Sequence, residues 1–508
     1  MKKFDKDKYL KKLKLKRNWQ SYSRYFYIGI PCVICLVLGL YFAYSKFFIS
    51  RENEVVKTTV APFIQGDIVI GAYIDGEYSS TIPGKNDGYV VDKVSCDNGA
   101  VGEWNNIDWG LLTTNLTKRT KCNVYFHKDY LAPIIAQLDS TGKCPTMNAD
   151  GSVNATGVEA TNGYLCKAKD AYGDSYYYRG NVTNNYVKFG EWQVRKYFGY
   201  YSDTSNDYQM YDSLEECQNA SYYNKKCAVG IDIGTPMYWR IVRINGDGTV
   251  RVIYDGTSAH ANGESNEDRQ IGASAFNSGD KDNAYVGYMY GKIGASTYTA
   301  AHANTNDSII KTYLDNWYKT NISGTSNEQY LADNIFCNDR SLVSGTGFGQ
   351  SYAYYRGQSL YGSVKNVTLS CSQKNDAFTV NDIINGNGAL TYGIGLITAD
   401  EVILAKDNYL NSGYDFWTMT PSNYNDDVNL AYILIARNFN GIDIGEKSSA
   451  WSFVWQSPFE DSVAVRPVLN LKPEAIKYGD GTASNPYRLT ESLDNSSSSE
   501  SGGIDTGD

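Results

Sequence analysis

The chain has 508 residues, 42% hydrophobic, with 44 Tyr, 47 Gly, 3 His and a formal net charge of −9. At ~100–200 residues per domain this allows about two to four domains. The charge is uneven: residues 1–24 hold ten Lys/Arg and two Asp, and the rest holds 37 basic against 54 acidic residues, a net of −17, which argues against nucleic-acid binding and against adsorption to anionic lipid.

Residues 1–24 read as a basic cytoplasmic tail. Tyr25 to Ser45 carries no charged residue, and a helix of that length, roughly 32 Å, crosses a bilayer's hydrocarbon core. Lys46 and Arg51 close it on one side and the basic tail on the other. The positive-inside rule then places the N-terminus in the cytoplasm and the C-terminus outside the cell, a single-pass protein of the cell membrane. The alternative is a cleaved signal peptide, with Ala43 and Ser45 spaced for cleavage, although the apolar run exceeds a usual signal core. Cys32 and Cys35 lie inside this helix, without the βαβ context or partner ligands that a redox or metal site needs.

Residues 46–60 read as a stalk. Residues 61–130 read as a small β-sandwich-like domain. DIVIGAYID alternates, GYVVDKVSC and KCNVYF follow after turn signals, and Trp104 and Trp109 are expected in its core. Residues 131–174 read as a disulfide-stapled linker in which YLAPIIAQL is either a short helix or extended. Outside the membrane segment the cysteines are Cys96, Cys122, Cys144, Cys166, Cys217, Cys227, Cys337 and Cys371. An even count in an extracellular chain points to disulfides. Pairing of sequence neighbours closes short local loops, each contributing roughly 3–4 kcal/mol. The rival is zinc, but no C-x-x-C pair or nearby His supports it.

Residues 175–488 read as a larger α+β domain. The clearest hairpin is Tyr238–Gly256, turning at Asn245–Gly248. Ser213 and Glu216 form an S-x-x-E cap before Cys217. NDSIIKTYLDNWY predicts a helix capped by Asn306, with a stripe of Ile310, Leu314 and Trp317. Thr398 and Glu401 form a capping box, which accounts for Asp400 and Glu401 better than catalysis does. AYILIARNFNGIDIG turns at Asn440–Gly441. VAVRPVLNL is a buried strand, so Arg466 must be paired, with backbone carbonyls or with Asp400 or Glu401 as candidate partners. Arg466, Trp239, Trp317 and Trp417 are expected as structural residues. Residues 489–508 read as a disordered acidic tail.

Several segments of this larger domain carry a resemblance: YYYRGNVTNNYVKF (176–189), WRIVRINGDGTVRVIYDG (239–256), NAYVGYMYG (283–291), HANTNDSIIKTYLDNWY (302–318), FCNDRS (336–341), LITADEV (396–402), FWTMTPS (416–422), VRPVLNLK (465–472) and GDGTASNPY (479–487). Together they resemble an uncharacterised surface-protein family of low-GC Gram-positive bacteria. The resemblance implies a fold similar to C-type lectins and formylglycine-generating enzymes, and no particular activity. The lectin calcium triplets Glu-Pro-Asn and Gln-Pro-Asp, the Trp-Asn-Asp motif and the copper-binding cysteine pair are absent.

No catalytic residue is expected. G-x-S-x-G, Walker A and H-E-x-x-H are missing. SGTGFGQS (344–351) has the glycines of a phosphate loop but neither the strand before it nor the Lys after it. His127 ends a strand, His260 sits in a loop and His302 precedes a helix. Asp247, Asp255 and Asp480 could supply oxygens to Ca²⁺, but turns use the same residues, so no cofactor or metal is assigned. The function expected is a membrane-anchored surface protein that binds a glycan or protein ligand. The alternatives are an extracellular enzyme acting on envelope material and a purely structural envelope protein.

Overall fold

A computed structural model describes residues 10–14, 68–116, 118–155, 162–202, 208–349, 351–361, 366–406, 409–436, 453–460 and 463–491. The expected membrane helix at 25–45, the stalk, the turn at Asn440–Gly441 and the tail beyond 491 lie outside them. Among the described residues no helix is long and apolar enough to cross a membrane. The chain divides into two compact units, Met1–Asp129 and Tyr130–Asp508.

The first unit is built on a four-stranded sheet in the order Glu77–Ser79, Ile68–Ile74, Thr120–Lys128, Tyr89–Cys96. Residues of Thr120–Lys128 alternate between buried and more exposed along most of the strand, the period-2 pattern of a sheet with one covered face. The cover is a hairpin, Val101–Asn105 with Gly110–Thr114. Its Trp104 and Trp109 pack on Phe126, ring centroids 5.3 and 6.1 Å away. The expected sandwich is therefore a sheet covered by a single hairpin. The sheet is mixed, because Ile68–Ile74 runs parallel to Thr120–Lys128.

The second unit centres on an eight-stranded sheet. Its middle is the expected hairpin, Pro236–Ile244 with Val250–Gly256. The Gly248 N–H donates to Asn245 O at 2.9 Å, and Gly248 has φ +84°, a conformation that favours glycine. Both strands are buried almost throughout. They read as near-continuous apolar runs with Arg240, Arg243 and Arg251 set inside them. Residues 131–174, expected as a linker, supply the edge strand Tyr164–Asp170, paired along its length with Gly173–Arg179. YLAPIIAQL forms a short helix at Ala132–Ile135.

Two further sheets complete this unit. One has three strands, Tyr208–Tyr211, Lys196–Tyr200 and Lys226–Ile231. The other has four: Tyr352–Tyr354, Phe416–Asn425, Leu430–Ala436 and Phe453–Gln456. The helix Ile309–Asn321 buries Ile310, Leu314 and Trp317 as their spacing requires, but its cap is Ser308. Asn306 instead pairs with Tyr290 in a two-residue bridge. The Thr398–Glu401 capping box is present on Ala399–Ala405. Ser213 caps Leu214–Asn219 by accepting from the Glu216 N–H, while the Glu216 carboxylate accepts from the Asp212 N–H, one residue before the cap.

Trp239 and Trp417 are fully buried and Trp317 nearly so. Trp239 Nε1 donates to Phe189 O at 2.8 Å and Trp417 Nε1 to Ser274 O at 2.7 Å, which satisfies the one polar atom each indole carries inside. All four disulfides join sequence neighbours: Cys96–Cys122, Cys144–Cys166, Cys217–Cys227 and Cys337–Cys371.

Candidate functional site

The site begins in the core. Arg466 is fully buried. Its Nε donates to Tyr254 O at 3.1 Å, its Nη1 to Leu410 O, and its Nη2 to Asp255 Oδ1 at 2.7 Å. Carbonyl pairing is as expected, but the carboxylate is Asp255 and neither Asp400 nor Glu401. Asp400 holds Arg356 through two bonds of 2.7 and 2.6 Å. Glu401 lies 2.9 Å from Arg243 Nε and 2.6 Å from Arg251 Nε. Burial pushes the Arg466 guanidinium below its ordinary value, Asp255 opposing and Arg269 and Arg240 reinforcing. Asp255 also binds Arg269, and Arg240 approaches to 3.8 Å.

Arg269 links this cluster to the 3-10 turn Glu267–Arg269, whose three residues are all buried. Asn266 Oδ1 caps the turn by accepting from Asp268 N–H, and also accepts from Tyr208 OH at 2.5 Å. Asp268 accepts from Thr257 N–H and Oγ1–H at 3.0 and 2.5 Å. The turn is thus clamped from the core, and its Glu267 and the following Gln270 line an open cleft of about 530 Å³.

The cleft lies where the three-stranded and four-stranded sheets approach. Tyr208, Tyr223 and Tyr414 supply aromatic surface; Glu267, Asp415 and Glu460 supply carboxylates; Gln209, Gln270 and Gln456 supply amides. Among the described residues lining it none is Lys or Arg. Tyr208 is held by stacking on Phe198, centroids 4.3 Å apart. Gln270 is 4% exposed, and its buried Oε1 has no hydrogen-bond partner among the described residues. An acceptor left this way costs ~1–3 kcal/mol.

The other residues singled out in the sequence do not form a second site. Arg243, Arg251, Arg356, Asp400 and Glu401 surround a crevice of about 20 Å³, room for about one water, and their charges are paired with each other. Asp247 Oδ1 caps Thr249, Asp480 Oδ1 caps Thr482, and Asp255 is in the arginine cluster, so the three are not assembled as a calcium cage. His127 pairs with Asp92. His302 is buried against Tyr298 and Tyr355, and burial, reinforced by Arg340, drives its pKa well down. In the 344–349 part of the glycine loop, Gly345, Gly347 and Gly349 have positive φ.

Sequence reading missed the cleft residues. They run from Tyr208 to Ala464, and no local spacing links them. The available signal was the polar turn NEDRQ beside a Tyr-rich insertion. The chain matches no family model, no curated protein and no solved structure.

Proposed function

We propose that the chain is a membrane-anchored bacterial surface protein whose extracellular part binds glycan through this cleft. The supporting observation is the cleft's make-up: three tyrosines, three carboxylates and three amides, with no lysine or arginine among the described residues that line it. Sugars offer hydroxyls that carboxylates and amides bond, and C–H faces that tyrosine rings cover. The volume lies in the ~300–1,000 Å³ range of ligand pockets. Display outside the cell rests on the uncharged 25–45 segment behind a basic tail, and it accords with four disulfides. The lectin-like resemblance points the same way, with recognition that does not run through the usual calcium motifs.

The test is a glycan array probed with the detergent-solubilised full chain and with Tyr414→Ala, whose melting curve is checked against the parent. Binding by the parent and loss in the variant are expected. A blank array for the parent overturns the reading. Release of new reducing ends from a bound glycan would replace it by hydrolysis, with the cleft carboxylates as the groups to examine.

A further inference from the structure

Residues 264–270 form one wall of the cleft and support two of its other residues. Glu267 and Gln270 line the cleft themselves. Asn266 Oδ1 accepts from Tyr208 OH at 2.5 Å, and the Asn266 N–H donates to Ser412 O at 3.3 Å. Arg269 donates to Glu264 O and, at 2.8 Å, to Asn411 O. Gly413 has φ +87°, and a Cβ there would lie 2.0 Å from Ser265 Oγ, so the 411–414 loop packs directly on the segment. Tyr208, and Tyr414 at the end of that loop, both line the cleft and both rest on 264–270.

His260 grips this segment at two points. It is buried, with Nδ1 2.9 Å from Glu264 Oε1 and Nε2 2.8 Å from Asp268 Oδ1. A neutral imidazole carries one N–H, and only the imidazolium offers a donor at both nitrogens. Ser258 Oγ lies 3.3 Å from Nε2. Behind the ring is Gly256, where a Cβ would lie 2.8 Å from Nε2. Tyr186 OH and Arg240 Nη1 donate to the His260 carbonyl at 2.6 and 3.4 Å. The nearby cations Arg240 and Arg269 both approach Asp255. Burial disfavours charge on the ring, but Asp268 and Glu264 outweigh it, Asp255 adds to them, and the pKa stands above its ordinary value.

We infer that His260 is a proton-operated staple on the cleft wall: doubly protonated, it ties Glu264 to Asp268 and sets the wall, and on losing one proton it releases Glu264 and the wall slackens. Its consequence, ligand binding that weakens as pH rises, rests on the cleft reading and adds regulation to it. Glu264 is the partner released, because Asp268 is the costlier carboxylate to strand. The Asp268 side chain is 8% exposed against 44% for Glu264, and its Oδ1 has no other polar partner among the described residues. The one remaining N–H therefore stays at Nε2, and water takes the place of the ring at Glu264 Oε1. The other Glu264 oxygen keeps the Ala261 N–H at 2.9 Å. What is lost is the tie between the start of the segment and its middle. The raised value places this change above the ordinary histidine value of about 6.5.

The test uses the full chain without ligand. Backbone hydrogen exchange is followed from about pH 5.5 to about pH 8.5, a span that brackets the histidine range. Rates are corrected for the intrinsic pH dependence of exchange, with the helix Ile309–Asn321 as internal reference. Segments 264–270 and 411–414 should exchange about tenfold faster, relative to the helix, at the upper end, as loss of one hydrogen bond to a charged group gives. In Glu264→Gln, at a half-exposed side chain, the ring faces one carboxylate fewer, so the midpoint of the step should move to lower pH. His260→Gln should show no step. A flat ratio in the parent, a step that survives His260→Gln, or an unmoved midpoint in Glu264→Gln overturns the staple. A step in a chain whose glycan array is blank supports the staple and overturns the glycan reading alone.

Discussion

Arg269 and Arg466 donate to one oxygen: the Nη2 atom of each lies 2.7 Å from Asp255 Oδ1. Both guanidinium groups and the carboxylate are fully buried. Arg466 ties the cluster to the C-terminal strands, and Arg269 ties it to the turn that presents Glu267 and Gln270 to the cleft. The core ion cluster and the proposed binding surface are thus one construction.

Asp255→Asn should therefore be severe, since it leaves buried guanidinium groups without their counter-charge. A loss of about 3–5 kcal/mol is expected in urea unfolding. Arg466→Lys should lose about 1–3 kcal/mol, because an ammonium cannot reach Tyr254 O, Leu410 O and Asp255 together. An unchanged midpoint in either variant would show that the cluster contributes nothing to the fold.

His260 should make stability depend on pH. Burial disfavours its charge, but Asp268 at 2.8 Å and Glu264 at 2.9 Å outweigh burial and hold its pKa above the ordinary value. A raised folded-state value stabilises fully below the unfolded value of about 6.5 and fades as pH rises through the folded value. Burial pushes the Asp268 and Glu264 carboxyls up, yet His260 helps to hold both below their ordinary values, so their contribution is lost on strong acidification. The melting temperature should fall between about pH 6 and pH 8, and His260→Gln should lessen that fall. An identical slope in parent and variant would remove His260 from the account.

What could be read from the sequence was local. The 236–256 hairpin, the Thr398 capping box and neighbour pairing of the cysteines each depend on residues close in the chain. Burial of Arg466 was also legible, from the apolar strand around it. Its partner was not, because Asp255 lies 211 residues earlier. Asn306 and Ser308 are both good caps two residues apart, and the pairing of Asn306 with Tyr290 left the cap to Ser308. The cleft was illegible for the same reason as Asp255: two sheets, a turn and loops far apart in the chain bring its residues together.

Under non-reducing digestion, protein made in an oxidising host should yield linked peptides for 217–227 and 337–371. It should show no reactive thiol at the eight positions outside the 25–45 segment. Quantitative alkylation of those cysteines in folded protein would contradict an oxidising location.

Intact cells treated with protease should lose the C-terminal part and keep residues 1–24 protected. An N-terminal epitope accessible on unpermeabilised cells would reverse the proposed orientation.

Hydrogen–deuterium exchange of the full chain, with and without its array-selected glycan, tests glycan capture by the cleft most directly. Protection should concentrate at 208–210, 223, 267, 270, 272–273, 414–415, 435, 456, 460 and 463–464, residues that line the cleft. Protection confined to the crevice around Arg356 and Asp400, or unchanged exchange at saturating glycan, would contradict it.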